Sequence, residues 1–256
     1  MRKDLAVLDQ RDPKALRRRR RRIVILAVLG ILGVGLTAVF RNPLFAGNFG
    51  VVVRDRVYRS AQPNTNLSEL VESYRLASIL NLRGGSPSDP FYANEVRVVH
   101  DQKVDFYDFP MSATRRPTRR ELLTLLDLFS RCRYPLLIHC KSGADRTGLA
   151  SGLYLLSQAA HSPKEAVAAF SLYYGHVPLG GTALLHAPFV EYEHWLKERH
   201  LEHSPERFRS WVECEYQPEE TSSTFQPLVP GPRSPNLKLS LQWSRRIRRP
   251  GAVTIH

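Results

Sequence analysis

Cysteine is scarce in this chain: Cys132, Cys140 and Cys214 are the only three. An odd number without close pairs argues against a disulfide framework, and no spacing suited to a metal site is present. No internal repeat is visible. Acidic residues are few beside basic ones, 24 Asp and Glu against 37 Lys and Arg, for a formal net charge of +13. The excess lies at the two ends and in one internal segment, which fits local basic patches better than a nucleic-acid-binding fold. With 256 residues, 43% of them hydrophobic, there is enough chain for one globular domain with an ordinary core plus extensions.

What the sequence does contain is one chemically dense stretch, Leu136-Leu137-Ile138-His139-Cys140-Lys141-Ser142-Gly143-Ala144-Asp145-Arg146-Thr147-Gly148. The apolar run after Pro135 predicts a short buried strand, and Leu149, Leu153 and Leu156 predict a helix behind the loop. Backbone N–H groups at a helix start have no intrahelical partner and carry partial positive charge, so a phosphate can dock on the amides of Lys141, Ser142, Gly143, Ala144, Asp145 and Thr147. Gly143 and Gly148 permit the sharp turn. Near a helix N-terminus and a cation, a cysteine is expected to ionise near neutral pH, which makes Cys140 a candidate nucleophile. The planar fork of Arg146 can hold two phosphoryl oxygens at once, and Thr147 can donate to the thiolate leaving in the second step. A nucleotide-binding loop is excluded, because Leu149 and Ala150 stand where lysine and Ser/Thr are needed.

The pattern His139-Cys140-x-x-Gly143-x-x-Arg146-Thr147-Gly148 resembles the signature of the cysteine-dependent protein tyrosine phosphatase superfamily. From Val57-Tyr58-Arg59-Ser60-Ala61-Gln62-Pro63 through Ile79-Leu80-Asn81-Leu82-Arg83 to about Tyr174, the chain is similar to the compact dual-specificity-like branch of bacterial and atypical plant and fungal phosphatases. The resemblance implies hydrolysis of phosphate monoesters through a phosphocysteine, with no metal and no cofactor. It also implies an aspartate acting as general acid. No carboxylate occurs in Pro110-Met111-Ser112-Ala113-Thr114-Arg115-Arg116-Pro117, so Asp108 is the nearest candidate; Asp105 lies earlier on the same strand. Asp145, beside Arg146, is another, since several phosphoinositide phosphatases of the superfamily place an aspartate there. Either carboxylate also fits a structural role, as a strand end held by local hydrogen bonds or as an orienter of Arg146.

Residues 1–22 form a basic N-terminus ending in Arg17 to Arg22, and Ile23 to Phe40 is a run of 18 residues without a charge. As a helix the run would be about 27 Å long at ~1.5 Å per residue, which predicts a transmembrane span. Ten Lys and Arg in residues 2–22 against four in 41–60 place the N-terminus in the cytoplasm and the catalytic domain on the outer face. No small-x-small site follows Phe40, which disfavours a cleaved signal peptide. A linker over 41–48 leads to the catalytic domain, 49–216, and a flexible tail rich in Pro, Ser and Arg occupies 217–256.

Within the domain, strands are expected at 51–53, 57–58, 79–82 and 104–109 besides the one before Cys140. Helices should start at Asn66, near Phe91, at the Thr118/Glu121 capping box, at Ser162-Pro163 running to Gly175, around Phe189 to Leu196, and at Ser204-Pro205 ending near Cys214. The alternation implies an α/β domain with a mostly parallel sheet flanked by helices, and a ligand beyond the carboxyl ends of the strands. Arg115, Arg116, Arg119 and Arg120 are expected to form a basic rim together with Lys141. Three readings stay open: a phosphotyrosine, phosphoserine and phosphothreonine phosphatase; a phosphoinositide or inositol-phosphate phosphatase, whose additional phosphates would meet that rim; and a catalytically weak phosphate-binding module. The expected partners are the phosphorylated protein or inositol-phosphate substrate and the membrane.

Overall fold

The computed structural model describes residues 13–45 and 47–218. Most of the basic N-terminus and of the tail expected over 217–256 therefore lies outside the described residues. Contacts divide the chain into one unit ending at Arg41 and another beginning at Asn42.

The first unit is the main part of helix α1, Pro13–Phe45. Its aliphatic side chains are exposed all the way round, from Ile23 and Val24 to Ile31, Leu32 and Val34. Among the described residues no helix is long and apolar enough to cross a membrane. The span expected over 23–40 is accordingly not shown.

The second unit is built on a five-stranded sheet in the order β1 (Gly50–Val53), β2 (Val57–Ser60), β5 (Leu136–His139), β3 (Ser78–Asn81), β4 (Asp105–Asp108). The first pair is an antiparallel hairpin around Arg54-Asp55-Arg56, where Asp55 takes φ 57°; the other pairs are parallel. Alternation along the strands feeds two cores. Val57, Leu80, Leu136 and Ile138 face α4 (Arg119–Arg131), α5 (Asp145–Gln158), α7 (Ala187–Glu198) and α8 (Pro205–Cys214), whereas Tyr58, Ile79 and Leu137 face α2 (Leu67–Tyr74) and α3 (Pro90–Asp101). An uncharged strand buried on both faces needs apolar residues at every position, which is why 136–138 is a continuous run.

The capping box at Thr118 forms as expected: its Oγ1 accepts from Glu121 N–H while the Glu121 carboxylate accepts from Thr118 N–H. At Asn66 the helix starts where expected, but no side-chain cap is made, and the chain leaves α2 through Arg75 in the left-handed region. The helix expected from Ser162 to Gly175 is the clearest departure. Helix α6 covers only Pro163–Val167, and a separate 3₁₀ turn, Leu172–Tyr174, ends at Gly175. The chain tightens after Val167 to turn the Phe170 ring onto Gly148, where an added Cβ would meet that ring at 2.8 Å. Burial of one aromatic side chain outweighs two further turns of regular helix. The 3₁₀ segment Gly180–His186 was not expected from the sequence.

Candidate active site

In-register parallel pairing brings Ser60, His139, Asn81 and Asp108 into one row across the carboxyl ends of β2, β5, β3 and β4. Cys140 is the next residue after that row, in the loop between β5 and α5, and is 1% exposed. Two consecutive positions thus do different work: His139 points into the sheet's α3 side while Cys140 opens the loop.

The loop has the expected fold. Gly143 sits at φ 72° and its N–H donates to Cys140 Sγ at 3.2 Å, a geometry that solvates a thiolate. A Cβ on Gly143 would lie 2.6 Å from Ala61 N, so only glycine fits the left-handed turn and the close approach to β2. Arg146 is half-buried, and its Nη1 donates to the carbonyls of Leu82 (3.2 Å) and Met111 (3.3 Å). Those bonds fix the plane of the fork; Nε is buried with no partner among the described residues. A buried, pre-aimed guanidinium edge without a protein acceptor is what a phosphoryl group would satisfy. Thr147 Oγ1 is likewise buried and unpaired, one helical residue on. Lys141 and Ser142 are exposed at the mouth, while Ala144 is buried.

Three supports of the loop went unnoticed in the sequence. Arg59, 2% exposed, donates from Nη1 to Ala169 O at 2.6 Å and from Nη2 to Gly143 O at 2.8 Å, under the ring of Tyr174 at 3.7 Å. Burial lowers its pKa to about 10, against the pull of Tyr174 and the Cys140 thiol. A charge inside an otherwise apolar strand was the available signal. Asn48, fully buried with φ 54°, donates from Nδ2 to both Ser142 O and Tyr174 O at 2.8 Å, tying the segment before β1 to the loop. Glu95 of α3 is also fully buried; its Oε1 lies 2.5 Å from His139 Nε2, and its Oε2 accepts from Gln62 Nε2 at 3.0 Å. A glutamate on the apolar stripe of a helix marked it, but not its partner.

Asp108 belongs to this same polar layer on the α3 side. Its Oδ2 accepts from Tyr92 Oη at 2.8 Å, and burial raises its pKa, with Tyr92 opposing the rise and Glu95 adding to it. Asp145, the first residue of α5, stands instead beside Arg146 and pairs through Oδ1 with His176 Nδ1 at 2.7 Å. The basic rim is largely consumed by structure. Arg115 makes a two-pronged bond to Glu121, Arg116 pairs with Glu191 and with Tyr216 Oη, and Arg119 Nε donates to Tyr216 O. Arg120 and Lys141 remain exposed with no partner among the described residues.

Residues 43–154 match the tyrosine phosphatase family. A probable tyrosine-protein phosphatase, DG1060, of Dictyostelium discoideum is 32% identical over 110 residues, which span 41% of this chain and 63% of that protein. Among solved structures, the chain is similar to TpbA of P. aeruginosa (18% identity, 62% of this chain and 87% of that one, TM-score 0.45). It is also similar to the core catalytic domain of the PP-IP phosphatase SIW14 from S. cerevisiae (23% identity, 60% and 93%, TM-score 0.47). The match to the tyrosine phosphatase family covers the segment that carries the sheet, the cysteine loop and most of the helix behind it.

Proposed function

We propose that this protein hydrolyses phosphate monoesters of phosphotyrosine, phosphoserine or phosphothreonine, through a phosphocysteine on Cys140. The observation that carries the reading is the convergence on one loop of the Cys140 sulfur, the Gly143 N–H bonded to it, and the partnerless Nε edge of Arg146. The thiolate attacks phosphorus in line, the ester P–O bond breaks, and the loop amides with Arg146 hold the three equatorial oxygens. Water then attacks the phosphocysteine, breaking P–S and returning the thiolate, toward which Thr147 Oγ1 is available as a donor. No step calls for a metal or cofactor. Preference for singly phosphorylated substrates over inositol polyphosphates is supported by the engagement of Arg115, Arg116 and Arg119 in intramolecular bonds, which leaves Arg120 and Lys141 for additional anions.

Hydrolysis of an aryl phosphate tests the reading, because a good leaving group needs little acid help. Turnover should vanish in Cys140→Ser and fall by roughly 10²-fold or more in Arg146→Lys, since a point charge cannot replace the fork. A wild-type protein that binds phosphate but turns over no faster than Cys140→Ser would be a binding module instead.

The exposed aliphatic surface of α1 favours a second element of the reading, attachment to a membrane through residues 23–40 with the N-terminus cytoplasmic and the domain on the outer face. Added protease should then cleave the domain in intact cells. Full protection until the membrane is disrupted would reverse the orientation, and recovery in the soluble fraction would remove the anchor.

A further inference from the structure

Among the described residues, a chain of titratable groups leads away from the start of the helix that holds Arg146. Asp145 Oδ1 lies 2.7 Å from His176 Nδ1, and His176 Nε2 lies 2.8 Å from His186 Nε2. His176 is 2% exposed and His186 only part-buried, so the chain runs from the first residue of α5 to near the surface. The Phe170 ring packs on both imidazoles, 4.8 Å from His176 and 4.3 Å from His186, and fixes their mutual orientation. The segment that carries His186 also closes on the loop between β4 and α4, where a Cβ at Gly181 would stand 2.3 Å from Thr114 O.

We propose, building on the phosphatase reading, that Asp145 is the general acid and that His176 and His186 are positioning residues which relay its proton. At 2.8 Å only one of the two facing Nε2 atoms carries a hydrogen. With Asp145 ionised, His176 spends its Nδ1–H on the carboxylate and its Nε2 lone pair on His186, so His186 must be protonated on Nε2. A proton taken up on His186 Nδ1 makes that ring an imidazolium without breaking any bond of the chain. It then moves by two transfers: His186 passes its Nε2 hydrogen to His176, and His176 passes its Nδ1 hydrogen to Asp145. Asp145 ends as a carboxylic acid and both rings end neutral. When the ester P–O bond breaks, Asp145 gives this hydrogen to the leaving oxygen; when water attacks the phosphocysteine, the carboxylate takes one back and the relay returns it to solvent.

The alternative acid, Asp108, accepts from Tyr92 on Oδ2 in the polar layer facing α3, while its Oδ1 is buried with no partner among the described residues. Arg146 follows Asp145 in α5, and Arg59 of β2 donates to Ala169 O, next to Phe170, and stacks on Tyr174; α7 presents the ring of Phe189, which meets Phe170 edge-on. Burial and the neighbouring His176 lower the pKa of His186, in the direction that makes its imidazolium a readier donor.

The test compares an aryl with an alkyl phosphate in the full-length protein. In Asp145→Asn and in His176→Gln the alkyl rate should fall roughly 10²-fold, within the range for loss of a general acid, and the aryl rate far less. The basic limb of the alkyl pH profile should move to lower pH in both His176→Gln and the less buried His186→Gln. The double variant Asp145→Asn/His176→Gln should be no slower than Asp145→Asn alone, since the three act as one unit. Equal losses on both substrates, an unmoved pH limb, or multiplicative losses in the double variant would overturn the relay. Ring ¹⁵N spectra of Cys140→Ser give a readout that needs no turnover: His176 should be the Nδ1–H tautomer and His186 the Nε2–H tautomer. Other tautomers would refute the relay even if the phosphatase holds; absence of aryl turnover with these tautomers present would count against the phosphatase reading alone.

Discussion

Arg59 Nη2 donates to the Gly143 carbonyl at 2.8 Å from the middle of a fully buried strand. The cysteine loop therefore stands on a charge beneath it, and the same guanidinium holds Ala169 from its other nitrogen. Because a carbonyl tied down below turns its own peptide plane, this bond helps aim the neighbouring amides upward toward a phosphate.

Removing that charge should damage fold and loop together. Arg59→Ala leaves the buried carbonyls of Gly143 and Ala169 unpaired and is expected to cost about 1–3 kcal/mol for each, the range for an unsatisfied buried polar group. For a chain of this size that corresponds to a drop in Tm of roughly 10 °C by differential scanning calorimetry. Arg59→Lys should restore part of the stability but less of the activity, as one ammonium cannot bond both carbonyls in plane.

Asn48 offers a cleaner separation of backbone and side chain. In Asn48→Gly the left-handed φ is relieved while the bonds to Ser142 and Tyr174 are lost; in Asn48→Ala both are penalised. Chemical denaturation should rank wild type above Asn48→Gly and Asn48→Gly above Asn48→Ala by about 1 kcal/mol, the usual cost of forcing a Cβ into that conformation. Both variants should raise KM for an aryl phosphate, since Ser142 then loses its anchor.

Gly143→Ala should abolish phosphate binding without unfolding the domain. Its Cβ would fall 2.6 Å from Ala61 N and 2.7 Å from Ser60 O, both backbone atoms that cannot step aside. Isothermal titration with phosphate or vanadate measures the loss. Retained binding would mean that the loop refolds around the methyl group.

The Asp108 and Tyr92 pair sets a pH dependence of stability. Burial raises the Asp108 carboxyl above its ordinary 3.8, so the folded protein holds this proton more tightly than the unfolded chain does. Its contribution to stability is full below that ordinary value and is lost as pH rises through the raised one. Asp108→Asn should flatten this part of the profile. Tyr92→Phe removes the hydrogen bond that opposes the rise, and should carry the loss to higher pH. Equilibrium urea midpoints across the acid range check both. An alkyl-selective rate loss in Asp108→Asn would instead assign it the general-acid role.

How much of this was legible in the sequence follows from the range of each interaction. The loop from Cys140 to Gly148, the doubly buried strand before it and the capping box at Thr118 rest on neighbours in the chain, and the residues state them directly. The sheet order was not stated, because four-residue strands carry no label for their partners; only the packing of helices on both faces put β5 in the centre and Asp108 in a row with His139. The expected helix to Gly175 failed for the same reason, local propensity yielding to the burial of Phe170 against a glycine many residues away. The four arginines before and within the start of α4 looked like a binding rim as a string of charges. Tertiary contacts with Glu191 and Tyr216, far along the chain, turned two of them into struts. The sequence by itself determined which residues are candidates for the chemistry, since nucleophile, cation and turn must be neighbours to form one loop. The tertiary structure alone decided what supports them, because Arg59, Asn48, Glu95 and His176 act through hydrogen bonds whose partners are distant in sequence and meet only once the sheet has closed.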